Sequence, residues 1–238
     1  MAIDSLAPIL SGFVALSASV AALAGIVVLQ AFFHDKLKNL FDDANYFIFF
    51  FLVAGYVLYA LGEVSFYLTS VVFQDTGLIG IHDLYWPSGA FLILASFVAL
   101  ATVLFKAQPH SGKLGTMLIT GSILVAFVAA IVFGLVGAQS QYFFGYIFPI
   151  MSALIVSAAL SVILFFREVG GFRHVLLIFF FASCAILVGD IFFHYHNAWG
   201  GYGAVGFITD ISYLAGYILS LFGFITMRLQ MHSLAFRK

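Results

Sequence analysis

Long apolar runs constrain this chain more than any other feature. A transmembrane helix needs about 20 mostly apolar residues. Within a bilayer, only helices and closed barrels satisfy every backbone polar group. The sequence therefore predicts an all-α, polytopic membrane protein that forms one domain over residues 1–238. Its seven predicted transmembrane helices lie at approximately 7–33, 46–73, 86–106, 116–138, 143–166, 175–197 and 209–230.

The overall composition agrees with the lipid bilayer as the main partner. Apolar residues make up 64% of the chain and charged residues 8%, whereas soluble domains carry roughly a quarter charged residues. The net charge of −1 leaves no basic surface for a nucleic acid. Cys184 is the single cysteine, so an intrachain disulfide is excluded. The connections between the runs are too short for a second domain.

The basic residues predict the orientation in the membrane. Cytoplasmic loops carry an excess of Lys and Arg. All nine basic residues fall in the first, third and fifth connections or near the C-terminal end, namely Lys36, Lys38, Lys106, Lys113, Arg167, Arg173, Arg228, Arg237 and Lys238. We therefore expect a multi-pass protein of the cell membrane with its N-terminus outside and its C-terminus in the cytoplasm.

Two helix pairs repeat when the chain is shifted by 127 residues. LGEVSFYL (61–68) falls on VGDIFFHY (188–195), and IHDLYWPSGAFLIL (81–94) falls on ITDISYLAGYILSL (208–221). Each copy reads G-[DE]-x(19)-D, with the acids Glu63 and Asp83 in one copy and Asp190 and Asp210 in the other. This pattern predicts a parallel 3+1+3 internal repeat: repeat 1 at about 7–106, a linker helix at about 116–138 and repeat 2 at about 143–230.

The acids of this repeat are the main candidates for a functional site. Ionisable side chains at membrane depth are costly and usually face a protein interior or a water-filled cavity. Residues three or four apart share a helix face, which adds Tyr67 to the face of Glu63 and Tyr213 to that of Asp210. We expect a polar cavity open to the outer side that holds a cationic or hydroxylated ligand, or a proton. The predicted ligand-binding or proton-binding residues are Glu63, Asp190, Asp83, Asp210, Tyr67 and Tyr213.

Each of these acids also has a purely structural interpretation. Asp83 and Asp210 lie near the predicted starts of their helices, where an N-cap accepts hydrogen bonds from the first amides. Glu63 and Asp190 could be neutral and hydrogen-bonded to tyrosines, holding helices together. The sequence leaves both interpretations open.

Two histidines extend the acidic pattern toward a metal site. His194 lies one turn beyond Asp190, and His82 precedes Asp83. Imidazole and carboxylate groups are ligands that zinc accepts, and bound zinc activates water. This favours, as one alternative, a metal-dependent intramembrane lipid hydrolase, similar in outline to the seven-helix zinc ceramidase and adiponectin-receptor class but without its His-rich spacing.

Other cofactors and families fit the residues less well. Retinal needs a lysine in the seventh helix, and 209–230 contains none. His174 and His194 fall at opposite ends of one predicted helix, which argues against haem. The 3+1+3 plan is similar to that of SWEET-type sugar transporters, but their proline tetrad is missing. A proton-coupled small-solute transporter, with the two deep acids alternately protonated, is the second alternative.

The repeated G-[DE]…D helix pairs resemble the seven-helix integral membrane modules of bacterial and archaeal sensor proteins. The resemblance covers mainly 61–99 and 188–226. Such modules often precede kinase or cyclase output domains, whereas this sequence ends in RLQMHSLAFRK. The resemblance therefore implies a non-enzymatic sensor, receptor-like protein or accessory subunit that passes its signal to other membrane or cytoplasmic subunits.

Overall fold

A computed structural model describes residues 6–33, 44–74, 80–107, 120–131, 144–165, 172–199 and 202–235. In these ranges the chain is all-helical, with seven α-helices. A π-helical segment, Tyr67–Val72, continues the second helix. The seven are α1 (Ala7–Phe33), α2 (Ala44–Phe66), α3 (His82–Ala107), α4 (Thr120–Ile131), α5 (Phe144–Phe165), α6 (Arg173–Trp199) and α7 (Gly203–Ala235).

Six of the seven predicted spans are confirmed as helices long and apolar enough to cross a membrane: α1, α2 with its π-helical segment, α3, α5, α6 and α7. These six agree with a multi-pass membrane protein. The described part of the fourth, Thr120–Ile131, is an apolar helix too short to span a bilayer alone. The rest of the predicted range 116–138 lies outside the described residues.

Two predicted helix starts were wrong. α3 begins at His82 instead of 86, and α7 begins at Gly203 instead of 209. Gly203, with φ of +42°, opens the last helix. Glycine adopts this backbone conformation without a steric cost. As a consequence, Asp210 lies two turns inside α7 and cannot be its N-cap.

The six long helices close into a ring. Antiparallel neighbours pack as α1 with α2, α2 with α3, α5 with α6, and α6 with α7, while α3–α5 and α1–α7 contacts complete the circle. α2 and α6 run parallel and meet inside it, with ring centroids of Phe66 and Phe193 5.9 Å apart. The upper end of the bundle is the end at which α2 and α6 finish and at which α3 and α7 begin. α4 packs outside the ring against α5 and α6 through Val128.

Glycines allow the paired helices to approach closely. A Cβ atom at Gly55 of α2 would lie 2.8 Å from the carbonyl oxygen of Gly89 in α3. In the second pair, a Cβ atom at Gly216 of α7 would lie 3.2 Å from the carbonyl oxygen of Ala182 in α6. Small residues at such contacts are typical of membrane helices, whose association depends on backbone proximity.

The lower half of the bundle interior is mostly apolar, although it also buries Tyr46 and Ser96, and the Ser96 hydroxyl donates to the carbonyl oxygen of Ile48. Its buried apolar side chains come from all six long helices and pack into one cluster, the apolar plug, formed by Val28, Val53, Phe97, Ala159, Val162, Val175, Phe179, Phe224 and Met227. The polar residues Glu63 and Asp190, which line a cavity, therefore lie in the upper half of the ring.

Candidate functional site

Glu63 of α2 and Asp190 of α6 line one cavity in the upper half of the ring. Both are buried, with 6% and 9% of their surface exposed. They lie at matching heights because α2 and α6 run parallel. Three further helices complete the wall, with Trp86 and Ala90 from α3, Phe148 and Ser152 from α5, and Tyr213 and Tyr217 from α7.

Glu63 interacts with groups from two different helices. The hydroxyl of Tyr217 donates a hydrogen bond to Glu63 Oε1 at 2.7 Å. The buried indole N–H of Trp86 interacts with the same carboxyl group without reaching hydrogen-bond geometry. Tyr217 belongs to α7, so this hydrogen bond connects α7 to α2.

Asp190 accepts hydrogen bonds on both carboxyl oxygens. Tyr213 donates to Oδ1 at 2.7 Å, and Ser152 Oγ donates to Oδ2. The hydroxyl of Tyr59 interacts with Ser152 and connects this group to α2. A hydrogen bond to an ionised carboxylate is worth about 1.5–3 kcal/mol.

The cavity is small and its wall is rich in aromatic rings. It leaves about 20 Å³ for the centres of water molecules, enough for one or two waters at roughly 10–15 Å³ each. Six of its eleven lining residues are aromatic, against 18% of the whole chain: Tyr59, Trp86, Phe148, Phe193, Tyr213 and Tyr217.

Hydroxyl groups continue from this cavity toward the middle of the bundle. A second cavity, of about 10 Å³, shares Tyr59, Ser152 and Ile186 with the first. Tyr56 lines this second cavity, and its hydroxyl accepts a hydrogen bond from the hydroxyl of Ser220 at 2.8 Å. Below them lies the apolar plug, where Phe179 and Phe224 pack against Tyr56. The polar track is therefore blocked on its lower side in this conformation.

Of the six predicted ligand-binding residues, only three line the cavity: Glu63, Asp190 and Tyr213. Asp83 accepts a hydrogen bond from the backbone N–H of Gly80 at 2.8 Å, at the start of α3. Asp210 accepts a bond from the hydroxyl of Tyr202. Tyr67 turns toward α1, where its ring lies against Gly12.

The two predicted metal ligands lie among aromatic rings near the upper end. His194 is 3% exposed and stacks on Phe148, with centroids 5.5 Å apart. His82 packs on Phe66 and Trp86, and its Nε2 is 3.6 Å from Asp83 Oδ2. Among the described residues, no three His, Cys, Asp or Glu side chains come together as a metal would require. The structure thus does not assemble His82, His194, Asp83 and Asp190 into one centre.

Several cavity residues were not selected from the sequence. Tyr59 lies one helical turn from Glu63, and Tyr217 lies one turn from Tyr213. Helical periodicity therefore places both tyrosines on the polar stripes of the selected residues. Trp86 is the first residue of the predicted helix 86–106, a position that does not by itself indicate a cavity. Ser152 is one hydroxyl among several in an apolar run, and no sequence signal singles it out.

Comparisons with known proteins add no assignment. No protein-family model matches the chain, and neither a curated protein nor a solved structure matches it. The functional argument therefore rests on the cavity between α2, α3, α5, α6 and α7.

Proposed function

We propose that this chain is a non-enzymatic integral membrane protein, sensor-like or an accessory subunit, that binds a small ligand in an acidic pocket in the outer half of the bilayer. The observation that carries the proposal is the shared cavity of Glu63 and Asp190. Acidic side chains inside a membrane domain usually mark a ligand, ion or proton site. The apolar plug beneath the pocket favours binding from the upper side over passage through the bundle.

A parallel internal repeat is part of this proposal. Four residue pairs separated by 127 positions line the same cavity: Tyr59 with Ile186, Glu63 with Asp190, Trp86 with Tyr213, and Ala90 with Tyr217. Close contacts also correspond. A Cβ atom at Gly62 would lie 2.5 Å from Trp86, and one at Gly189 would lie 2.7 Å from Tyr213. These pairs support a pseudo-twofold axis near the cavity, with one acid contributed by each repeat.

The outward orientation of the pocket is the second part. The basic residues of the described chain, Lys106, Arg173 and Arg228, are exposed at or near the lower ends of α3, α6 and α7. The positive-inside rule then assigns the lower end to the cytoplasm and the pocket to the outer half of the cell membrane. A separate membrane or cytoplasmic subunit would receive the signal.

Proton-coupled transport is the second candidate. Two acids on corresponding helices, joined by hydroxyl groups that continue below the cavity, are features that a proton carrier could use. The apolar plug is the argument against it in this conformation. The metal-dependent lipid hydrolase stays a prediction from sequence alone.

Ligand binding and flux together test the proposal. Purified protein is assayed by thermal shift against a panel of small amines, polyols, sugars and inorganic cations. Proteoliposomes with an internal pH dye are tested for proton flux with the same solutes. We expect stabilisation by at least one class of solute, lost in the double variant Glu63→Gln/Asp190→Asn, and no flux above that variant.

The matched control is Asp83→Asn, an acid outside the cavity, which should keep the stabilisation. Circular dichroism establishes that each variant retains its helices. Solute-dependent proton flux that disappears with Glu63→Gln would instead establish the transporter. Turnover of a phospholipid or ceramide that depends on zinc would overturn the non-enzymatic proposal.

A further inference from the structure

We propose that the cavity binds a small ammonium-type cation, ammonium or methylammonium. This inference rests on the proposed function and names the ligand class of the same pocket. It is carried by the charge of the cavity, the aromatic composition of its wall, its size, and a buried donor in the wall.

The first argument is charge. Glu63 and Asp190 face the same small space, and no Lys or Arg of the described residues lines it. A buried carboxyl group avoids an uncompensated charge either by keeping its proton or by pairing with a cation, because a lone charge in a low-dielectric interior is costly. A bound cation between the two carboxyl groups would supply that compensation.

The second argument is the aromatic wall. The planes of Trp86 and Phe148 are inclined by 89°, and those of Trp86 and Phe193 by 76°. Tyr59 and Tyr217 make a further edge-to-face pair in the wall, inclined by 81°. Together with Tyr213, these rings line the cavity around the two acids. Ring faces attract ammonium-type cations, and aromatic cages are the usual recognition element for such ligands. The wall therefore adds a preference that two acids alone would not provide.

The third argument is size and coordination. A space of about 20 Å³ for water centres accepts one or two water-sized groups, which fits ammonium or methylammonium and excludes tetramethylammonium. Calcium and magnesium take six or more oxygen ligands at close range, waters included. Here the hydroxyls of Ser152, Tyr213 and Tyr217 already donate to the two acids. A carboxylate has about four acceptor sites, so each acid can still accept N–H groups of a cation.

The fourth argument is the buried donor. Trp86 Nε1 is buried and makes no hydrogen bond of good geometry among the described residues, because its interaction with the Glu63 carboxyl falls short of hydrogen-bond geometry, whereas buried polar groups ordinarily have a partner. It belongs to a residue of the cavity wall beside Glu63. An occupant that brings an acceptor, such as an ammonium ion with one water, would satisfy this N–H as well as the acids.

Trp86 also provides the assay. The chain has two tryptophans, Trp86 and Trp199, so the Trp199→Phe variant leaves Trp86 as the sole indole reporter. Its fluorescence is titrated with ammonium, methylammonium, sodium, potassium and tetramethylammonium chlorides at matched ionic strength. We expect a saturable change with the first two salts only. Asp190→Asn and Glu63→Gln in this background should weaken binding by about thirtyfold or more, since each removes a buried charged partner.

A wall variant tests the aromatic part separately and covers the case in which the acid variants unfold. Phe148→Leu should weaken ammonium binding by about three- to tenfold. Phe91→Leu, an exposed phenylalanine on α3, is the matched control and should bind as the parent does.

Equal binding of sodium or potassium, binding of tetramethylammonium, or unchanged affinity in Phe148→Leu would overturn the ammonium assignment. A neutral polyol that binds in place of ammonium, with its binding lost in Asp190→Asn, would overturn it while leaving the proposed function standing. Absence of any bound solute, together with Glu63-dependent proton flux, would overturn both.

Discussion

Individual acidic residues in this chain have different surroundings although the repeat pattern treats them alike. Glu63 and Asp190 meet hydroxyl groups from other helices inside the ring. Asp83 accepts a hydrogen bond from the backbone N–H of Gly80, three residues earlier, as the acidic residue of a capping box does. Glu63 and Asp190 therefore face the cavity, whereas Asp83 stabilises a helix end.

The Tyr217→Phe substitution tests the bond to Glu63. It removes a donor 2.7 Å from a buried carboxyl oxygen and leaves the ring in place, so we expect a loss of about 1–3 kcal/mol in the free energy of unfolding. Unfolding in mixed micelles with increasing SDS measures it. Tyr85→Phe, outside the cavity, is the control; an equal loss there would show that the Glu63 bond contributes nothing specific.

The Asp83→Ala substitution tests the helix-start interpretation. Loss of a side-chain acceptor for an amide at a helix start typically costs about 1 kcal/mol, so the melting temperature should fall modestly. Stabilisation of the protein by ammonium should persist, because Asp83 does not line the cavity. If that stabilisation disappears while the helices remain intact, Asp83 belongs to the binding site after all.

At the scale of helices, two glycines allow aromatic side chains of neighbouring helices to pack close to the cavity acids. Gly62 lies under the indole of Trp86 and Gly189 under the ring of Tyr213. These contacts keep the two aromatic side chains against the acids that follow the glycines in sequence. In each G-[DE] pair, the glycine packs against an aromatic ring and the acid that follows it lines the cavity.

Gly62→Ala and Gly189→Ala test this arrangement. Their added Cβ atoms would approach ring carbons to 2.5 and 2.7 Å, so the rings must move. We expect a loss of about 1–3 kcal/mol in stability and, with displaced walls, weaker ligand binding, both followed by thermal shift. Gly121→Ala is the control, because its Cβ atom would lie 3.5 Å from Ser157, an ordinary contact. Tolerance of all three substitutions would contradict the packing argument.

For the whole molecule, the ring of six long helices places α2 and α6 in parallel and brings one acid from each to the same height. The apolar plug below them separates the cavity from the lower end. Because the apolar plug lies on the lower side, the orientation of the bundle decides which compartment the cavity would sample under the proposed function.

Cysteine labelling tests that orientation. In a Cys184→Ala background, single cysteines replace Ser111 in the third connection and Ser140 in the fourth. An impermeant maleimide added to intact cells should label Ser140→Cys and not Ser111→Cys, because the basic residues assign the third connection to the cytoplasm. Permeabilised cells, in which both should react, are the control. The reverse labelling pattern would turn the pocket toward the cytoplasm.

The sequence by itself determined the helices and the acids within them. Bilayer thickness imposes about 20 apolar residues on each span, so six of the seven predicted spans could be located without coordinates. The cost of an ionisable group at membrane depth likewise directed attention to Glu63 and Asp190. Both properties are local, and each can be evaluated from one segment at a time.

Only the tertiary structure decided which polar faces meet. Tyr67 and Tyr213 are comparable tyrosines on polar stripes, yet one turns toward α1 and the other bonds to Asp190. Ser152 enters the site because α5 packs between α3 and α6. Rotation of a helix about its axis depends on the close contacts it makes with its neighbours. A single sequence reveals a helix's stripes but not the partner that each stripe will face.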